Sequence, residues 1–124
     1  MPPREQRVWV RVPLMMSVEC RFADGVVIRG ETKDLGFGGL FLFSPLQRPV
    51  GQLCQVRITS RAGADAIEAT ARIHRCDELG MALLFTALLP PHRERLRDLL
   101  VGAATDAAPI LRDYHQLAGT RKSS

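Results

Sequence analysis

Residues 12 to 22 constrain the fold most. Val12, Leu14, Met16, Val18, Cys20 and Phe22 are all apolar, and Pro13, Ser17, Glu19 and Arg21 fall between them. Met15 alone breaks the alternation. A period of two held over that length describes a strand with one face in a core and one in water, which a helix cannot match. Ala23-Asp24-Gly25 is a turn signal, and Val26, Ile28 and Gly30 alternate with Arg29, Glu31 and Lys33 as the return strand of a hairpin.

Four more short strands follow. Leu40-Phe41-Leu42-Phe43 is an apolar run ended by Ser44-Pro45. Cys54, Val56 and Ile58 alternate with polar residues, as do Ile67, Ala69, Ala71 and Ile73 beyond a turn at 60–65. Met81, Leu83 and Phe85 mark the sixth. Six short strands separated by turn signals predict a small antiparallel barrel or sandwich. The period changes at Pro90-Pro91. Leu96, Leu99 and Leu100 have helical spacing, with Pro91 suited to the first turn and Gly102 to the end. This helix is expected to lay its leucines over the barrel. Three segments result: a flexible N-terminal arm over 1–11, the barrel and its helix over 12–101, and a tail over 102–124. The tail carries at most a helical turn at 110–117 and is expected to be disordered over its last five residues.

Composition removes several function classes. The 124 residues are 46% hydrophobic and 24% charged, enough to bury one core. No apolar run reaches the length of about 18 residues needed to span a bilayer. Met1-Pro2-Pro3-Arg4-Glu5 lacks the apolar stretch of a secretory signal, so a cytoplasmic location is expected. Seventeen basic against 13 acidic side chains leave a net charge of +4, which suits an anionic partner. Cys20, Cys54 and Cys76 are widely spaced without a CxxC pair, so neither a disulfide framework nor a metal site is expected. No nucleophile–base pair can be assembled, and no catalytic residue is assigned. Seven aromatics, some on core phases, are too few for a platform that stacks single-stranded nucleic acid.

Two fragments carry ligand chemistry. Arg7-Val8-Trp9-Val10-Arg11 places two guanidinium groups four residues apart, each a planar fork of donors matched to phosphate or to the O6/N7 edge of guanine. Trp9 between them suits either stacking on a base or packing over the barrel mouth. Asp34-Leu35-Gly36-Phe37-Gly38-Gly39 offers an acceptor-only carboxylate beside glycines that admit close backbone approach. By itself this is equally a tight inter-strand turn.

Taken together, RxxxR, a strand, a hairpin and DxGxxG leading into an apolar strand resemble the PilZ family of bacterial cyclic di-GMP receptors, whose pattern is RxxxR followed by [D/N]xSxxG. The resemblance continues through Ala69–Arg75 and Leu79–Phe85 and covers roughly residues 4 to 101. It implies an all-β fold, a six-stranded antiparallel barrel with a C-terminal α-helix. It implies a non-enzymatic effector that binds cyclic di-GMP, changes the conformation of its arm and signals to a partner protein, with no DNA and no membrane span. The implied ligand residues are Arg7, Arg11, Asp34, Gly36, Gly38 and Gly39, with Trp9 beside them. Gly36 stands where the family has serine. The missing hydroxyl removes a hydrogen bond of about 1–3 kcal/mol, or roughly 5- to 100-fold in affinity. Restoring serine there is expected to strengthen binding. The alternative is a degenerate PilZ-type adaptor in motility or pilus machinery that does not bind the nucleotide.

Overall fold

The computed structural model of the chain describes residues 9–59 and 66–122, with side chains to 117 in the last helix. The first eight residues, among them Arg7, lie outside the described ones, as does the expected turn at 60–65. The long alternating segment forms two strands, β1 (Val12–Pro13) and β2 (Ser17–Phe22). β3 (Val27–Leu35), β4 (Gly39–Phe43), β5 (Leu53–Thr59), β6 (Ile67–Cys76) and β7 (Gly80–Ala87) follow. Two helices complete the chain, α1 (Pro90–Ala103) and α2 (Ala108–Lys122).

All pairings are antiparallel. β3, β2, β5, β6, β7 and β4 are neighbours in that order, and β4 pairs back onto β3, so six strands close a barrel. β1 is an outer strand on β3. Closure leaves no free sheet edge on these six. The alternation read from sequence is the inside–outside alternation of the barrel. Val18, Cys20, Phe22, Ile28, Val56, Ile58, Ile73, Met81 and Leu83 are all buried in one core.

The break at Met15 has a geometric cause. Pro13 pairs with Asp34 and Ser17 with Glu31, so residues 14–16 oppose only residues 32 and 33. The additional residue is accommodated at Met15, which is 62% exposed. The buried Thr32 hydroxyl spans the gap, donating to the Leu14 carbonyl and accepting from Met16 N–H at 2.9 Å. β3 also slips by one residue against β4 between Thr32 and Asp34. Bulges re-aim side chains. Here Thr32 and Leu35, three apart, both face inward, and Asp34 is left half-buried where β1 crosses. The Asp34–Gly39 fragment is therefore shorter as a turn than its glycines suggest: Asp34 and Leu35 end β3, and Gly39 starts β4.

α1 begins with two prolines, whose fixed φ suits a first turn that has no N–H partners to offer. Leu96 and Leu100 are fully buried and Leu99 half-buried, as expected. Burial of each leucine contributes about 1.5–3 kcal/mol. Gly102 falls inside the last turn, and the helix is closed by Ala104 N–H bonding to the Leu100 carbonyl at 2.9 Å.

The tail differs from expectation. Residues 108–122, read as at most a short turn before a disordered end, form a helix of 15 residues. Asp106 Oδ1 accepts from Ala108 N–H at 3.0 Å and caps it. Pro109 lies in the first turn, where proline starts a helix instead of breaking one. Ile110, Tyr114 and Leu117, at helical spacing, pack against the barrel core.

Candidate functional site

The corner between β3 and β4 is the tripeptide Gly36-Phe37-Gly38. Gly36 N–H donates to the Gly39 carbonyl at 3.0 Å, and Phe85 N–H of β7 donates to the Gly38 carbonyl at 2.9 Å. Phe37 is buried with the core. Residues 9–11 run across the outside of this corner. Val10 and Trp9 are half-buried and pack against the core, so the indole is a packing group here.

The glycines explain how the chain can lie so close. A Cβ on Gly36 would fall on the Val10 carbonyl oxygen, well inside contact distance. A Cβ on Gly38 would stand 2.5 Å from Trp9 Cδ1. A side chain at Gly36 would strain or lift the backbone at Val10, and one at Gly38 would displace the Trp9 indole. The corresponding space at Gly39 is taken by the Leu83 carbonyl of β7. In this conformation the glycines admit the chain's own backbone and indole.

Arg11 and Asp34 meet at the rim. Arg11 Nε is 3.0 Å from Asp34 Oδ1, with side chains 35% and 24% exposed. The contact is ionic without hydrogen-bond geometry. Asp34 Oδ1 is buried and accepts no hydrogen bond among the described residues. The ion pair with Arg11 offsets part of the cost of burying this oxygen, and a donor from a ligand or water would offset the rest.

The corner is backed by α2, whose residues carried no role in the sequence reading. Asp113 is buried, and its Oδ2 accepts from Val10 N–H at 2.8 Å. Tyr114 meets Phe37 with ring centroids 5.9 Å apart. The Arg97 guanidinium of α1 also lies over the Tyr114 ring, 4.7 Å from its centroid. The helical spacing of Ile110, Tyr114 and Leu117 was the available signal for this docking, and Pro109 obscured it.

Of the expected site residues, Trp9, Arg11, Asp34, Gly36, Gly38 and Gly39 are brought together at one rim of the barrel. Arg7 lies outside the described residues. No group of three or more His, Cys, Asp or Glu side chains able to hold a metal occurs among the described residues. No helix among them is long and apolar enough to cross a membrane.

With this geometry in place, the comparisons with known proteins decide the family. The profile of the PilZ domain matches residues 5–102. The chain belongs to the PilZ domain family. The match runs from within the arm through the barrel to the last turn of α1, and stops before α2. Solved PilZ structures share the fold. The PilZ domain of CeSA from a cellulose-synthesizing bacterium superimposes with a TM-score of 0.60 at 23% identity, covering 75% of this chain and 96% of that one. The Bacillus subtilis inhibitor of motility, MotI/DgrA, gives 0.64 at 21% identity over 82% of this chain and 55% of its own. The PilZ domain of YcgR from Escherichia coli, solved with c-di-GMP, gives 0.63 at 14% identity over 92% and 98%. Among curated proteins, none matches significantly.

Proposed function

We propose that this PilZ chain is a cyclic di-GMP receptor without catalytic activity, and that it grips the dinucleotide between its RxxxR segment and the Asp34 corner. One juxtaposition carries the reading. The second arginine of RxxxR stands 3.0 Å from Oδ1 of the first residue of DxGxxG, and among the described residues that buried oxygen accepts no hydrogen bond beyond this ion pair. The guanine N1–H and N2–H edge supplies donors of the kind that oxygen lacks. Arg11, turned from Asp34 toward the ligand, offers its fork to phosphate or to the guanine O6/N7 edge, and Arg7 completes the pair. The likeness to the c-di-GMP-bound YcgR domain supports the choice of ligand. Gly36, Gly38 and Gly39 keep the corner thin, and Trp9 covers it. Binding draws Arg7 and the start of the arm onto the ligand, ahead of the docked Val10, and the altered surface is read by a partner protein in the cytoplasm.

Calorimetric titration tests this. Arg7→Ala and Arg11→Ala should each abolish measurable cyclic di-GMP binding. The melting temperature should barely move for Arg11→Ala, because a partly exposed ion pair contributes about 0–1 kcal/mol. Wild-type affinity in both variants would refute the assignment.

One observation favours a second reading. The place of the family serine is held by Gly36, and the Val10 carbonyl fills the space its Cβ would need. A degenerate PilZ adaptor in motility or pilus machinery, gripping its own arm instead of a nucleotide, would look like this. Absence of heat on titration at high protein concentration selects it.

A further inference from the structure

Two neighbouring residues of α2 hold the two halves of the corner. Asp113 binds the arm through Val10 N–H, and Tyr114 packs on Phe37 of the glycine turn. Residues 10 and 113 are 103 positions apart, and α2 lies beyond the span matched by the family profile. We infer that Asp113 is a positioning residue for the ligand, and that α2 is a working part of this binding site, where it sets the arm in its gripping register. The inference rests on the receptor reading above.

The physical argument starts with Val10. It lies between Trp9 and Arg11, inside the RxxxR segment. Fixing its backbone fixes where Arg11 leaves the chain. On the C-terminal side, Val12 is already paired with Leu35. With Val10 tied as well, Arg11 is held at both flanks and its guanidinium is delivered to Asp34. Each residue ordered only on binding costs conformational entropy. A site whose arginine is already in register avoids part of that cost. The direction of the effect follows from Arg11 itself. It faces Asp34, the other half of the proposed grip, so the latch holds the arm toward the ligand position and not away from it.

The bond is also built to be selective. Asp113 is only 6% exposed, on a helix whose neighbouring residue, Tyr114, contacts both Phe37 and Arg97. A carboxylate in such a place needs a donor, and among the described residues Val10 N–H supplies one across the interface. Hydrogen bonds to a charged acceptor are the stronger class.

The test uses the full chain and cyclic di-GMP, with Trp9 as the reporter of arm position, since it is the chain's one tryptophan. Asp113→Ala should weaken binding about tenfold, and a hundredfold at most. Without ligand it should red-shift the Trp9 emission and speed amide exchange at Val10. Asp113→Asn keeps an acceptor oxygen and should stay within about threefold of wild type. Arg112→Ala, one residue away on the exposed side of α2, should bind as wild type. Val10→Pro removes the same N–H from the arm side and should reproduce the loss with α2 unaltered, which covers the case of an Asp113 variant that folds poorly. Equal or tighter binding in Asp113→Ala, or equal losses in the Ala and Asn variants, would overturn the positioning role while leaving the receptor reading intact. No binding by the wild type would overturn both.

Discussion

Alanine at Gly36 is the most direct test of how this corner is built. The added Cβ falls on the Val10 carbonyl oxygen and comes within 3.3 Å of the carbonyl carbon and 3.6 Å of Arg11 Cα. These are backbone atoms, so no rotamer change can make room. If residues 9–11 stay docked, the overpacking costs about 1–3 kcal/mol. If they lift, the chain loses the Val10–Asp113 hydrogen bond, about 1.5–3 kcal/mol for a charged acceptor, together with the packing of Trp9. Both routes cost a similar amount. A domain of this size loses about 3–5 °C per kcal/mol, so Gly36→Ala should melt about 3–15 °C below wild type. Trp9 emission separates the routes: a red shift means a lifted arm, an unchanged spectrum a strained one. Wild-type melting and wild-type emission together would refute the close approach. Gly36→Ser carries the same Cβ. The structure therefore reverses the expectation drawn from the family pattern, and serine here should weaken cyclic di-GMP binding instead of restoring it.

Two further outcomes follow from the barrel itself. Cys20 and Cys54 are buried, and the hydrogen bond to Cys54 followed by burial pushes the Cys20 thiol far above its ordinary range. In the native protein a thiol reagent should therefore modify Cys76 alone, with all three cysteines reacting after denaturation; rapid native labelling of Cys20 would contradict this. Asp77 accepts from Leu79 N–H at 2.8 Å and Gly80 N–H at 3.1 Å, and these bonds, with Arg75 nearby, hold its carboxyl below the ordinary value of 3.8. A lowered folded-state value means stability present above the unfolded pKa and lost as pH falls through the folded one. The melting gap between wild type and Asp77→Ala should be constant well above the ordinary carboxylate value of 3.8 and close as the pH falls through the lowered one; a gap that persists in acid would refute the role of the charge.

Much of the site was legible in the chain because its parts are local. Arg11, Asp34 and the glycines could be named from two short motifs, and the strand between them from its period. Less legible was what the glycines are for. Gly36 and Gly38 read as openings for a ligand, yet in the fold they receive Val10 and Trp9. That contact joins segments more than 20 residues apart and follows from β1 pairing with the end of β3.

The order of polar and apolar side chains was enough to set the strands, their inward faces and the first helix, because period two and period 3.6 are properties of a few consecutive residues. Met15 shows the limit of that local information, marking a break without saying that Thr32 would bridge it. The tertiary structure alone decided that α2 docks, that Tyr114 reaches Phe37 and that Asp113 reaches Val10. A carboxylate and a backbone N–H separated by 103 positions have no shared pattern in the sequence. They meet because β1, paired to the end of β3 on the closed barrel, places Val10 beside α2, and the burial of Ile110 holds the helix there.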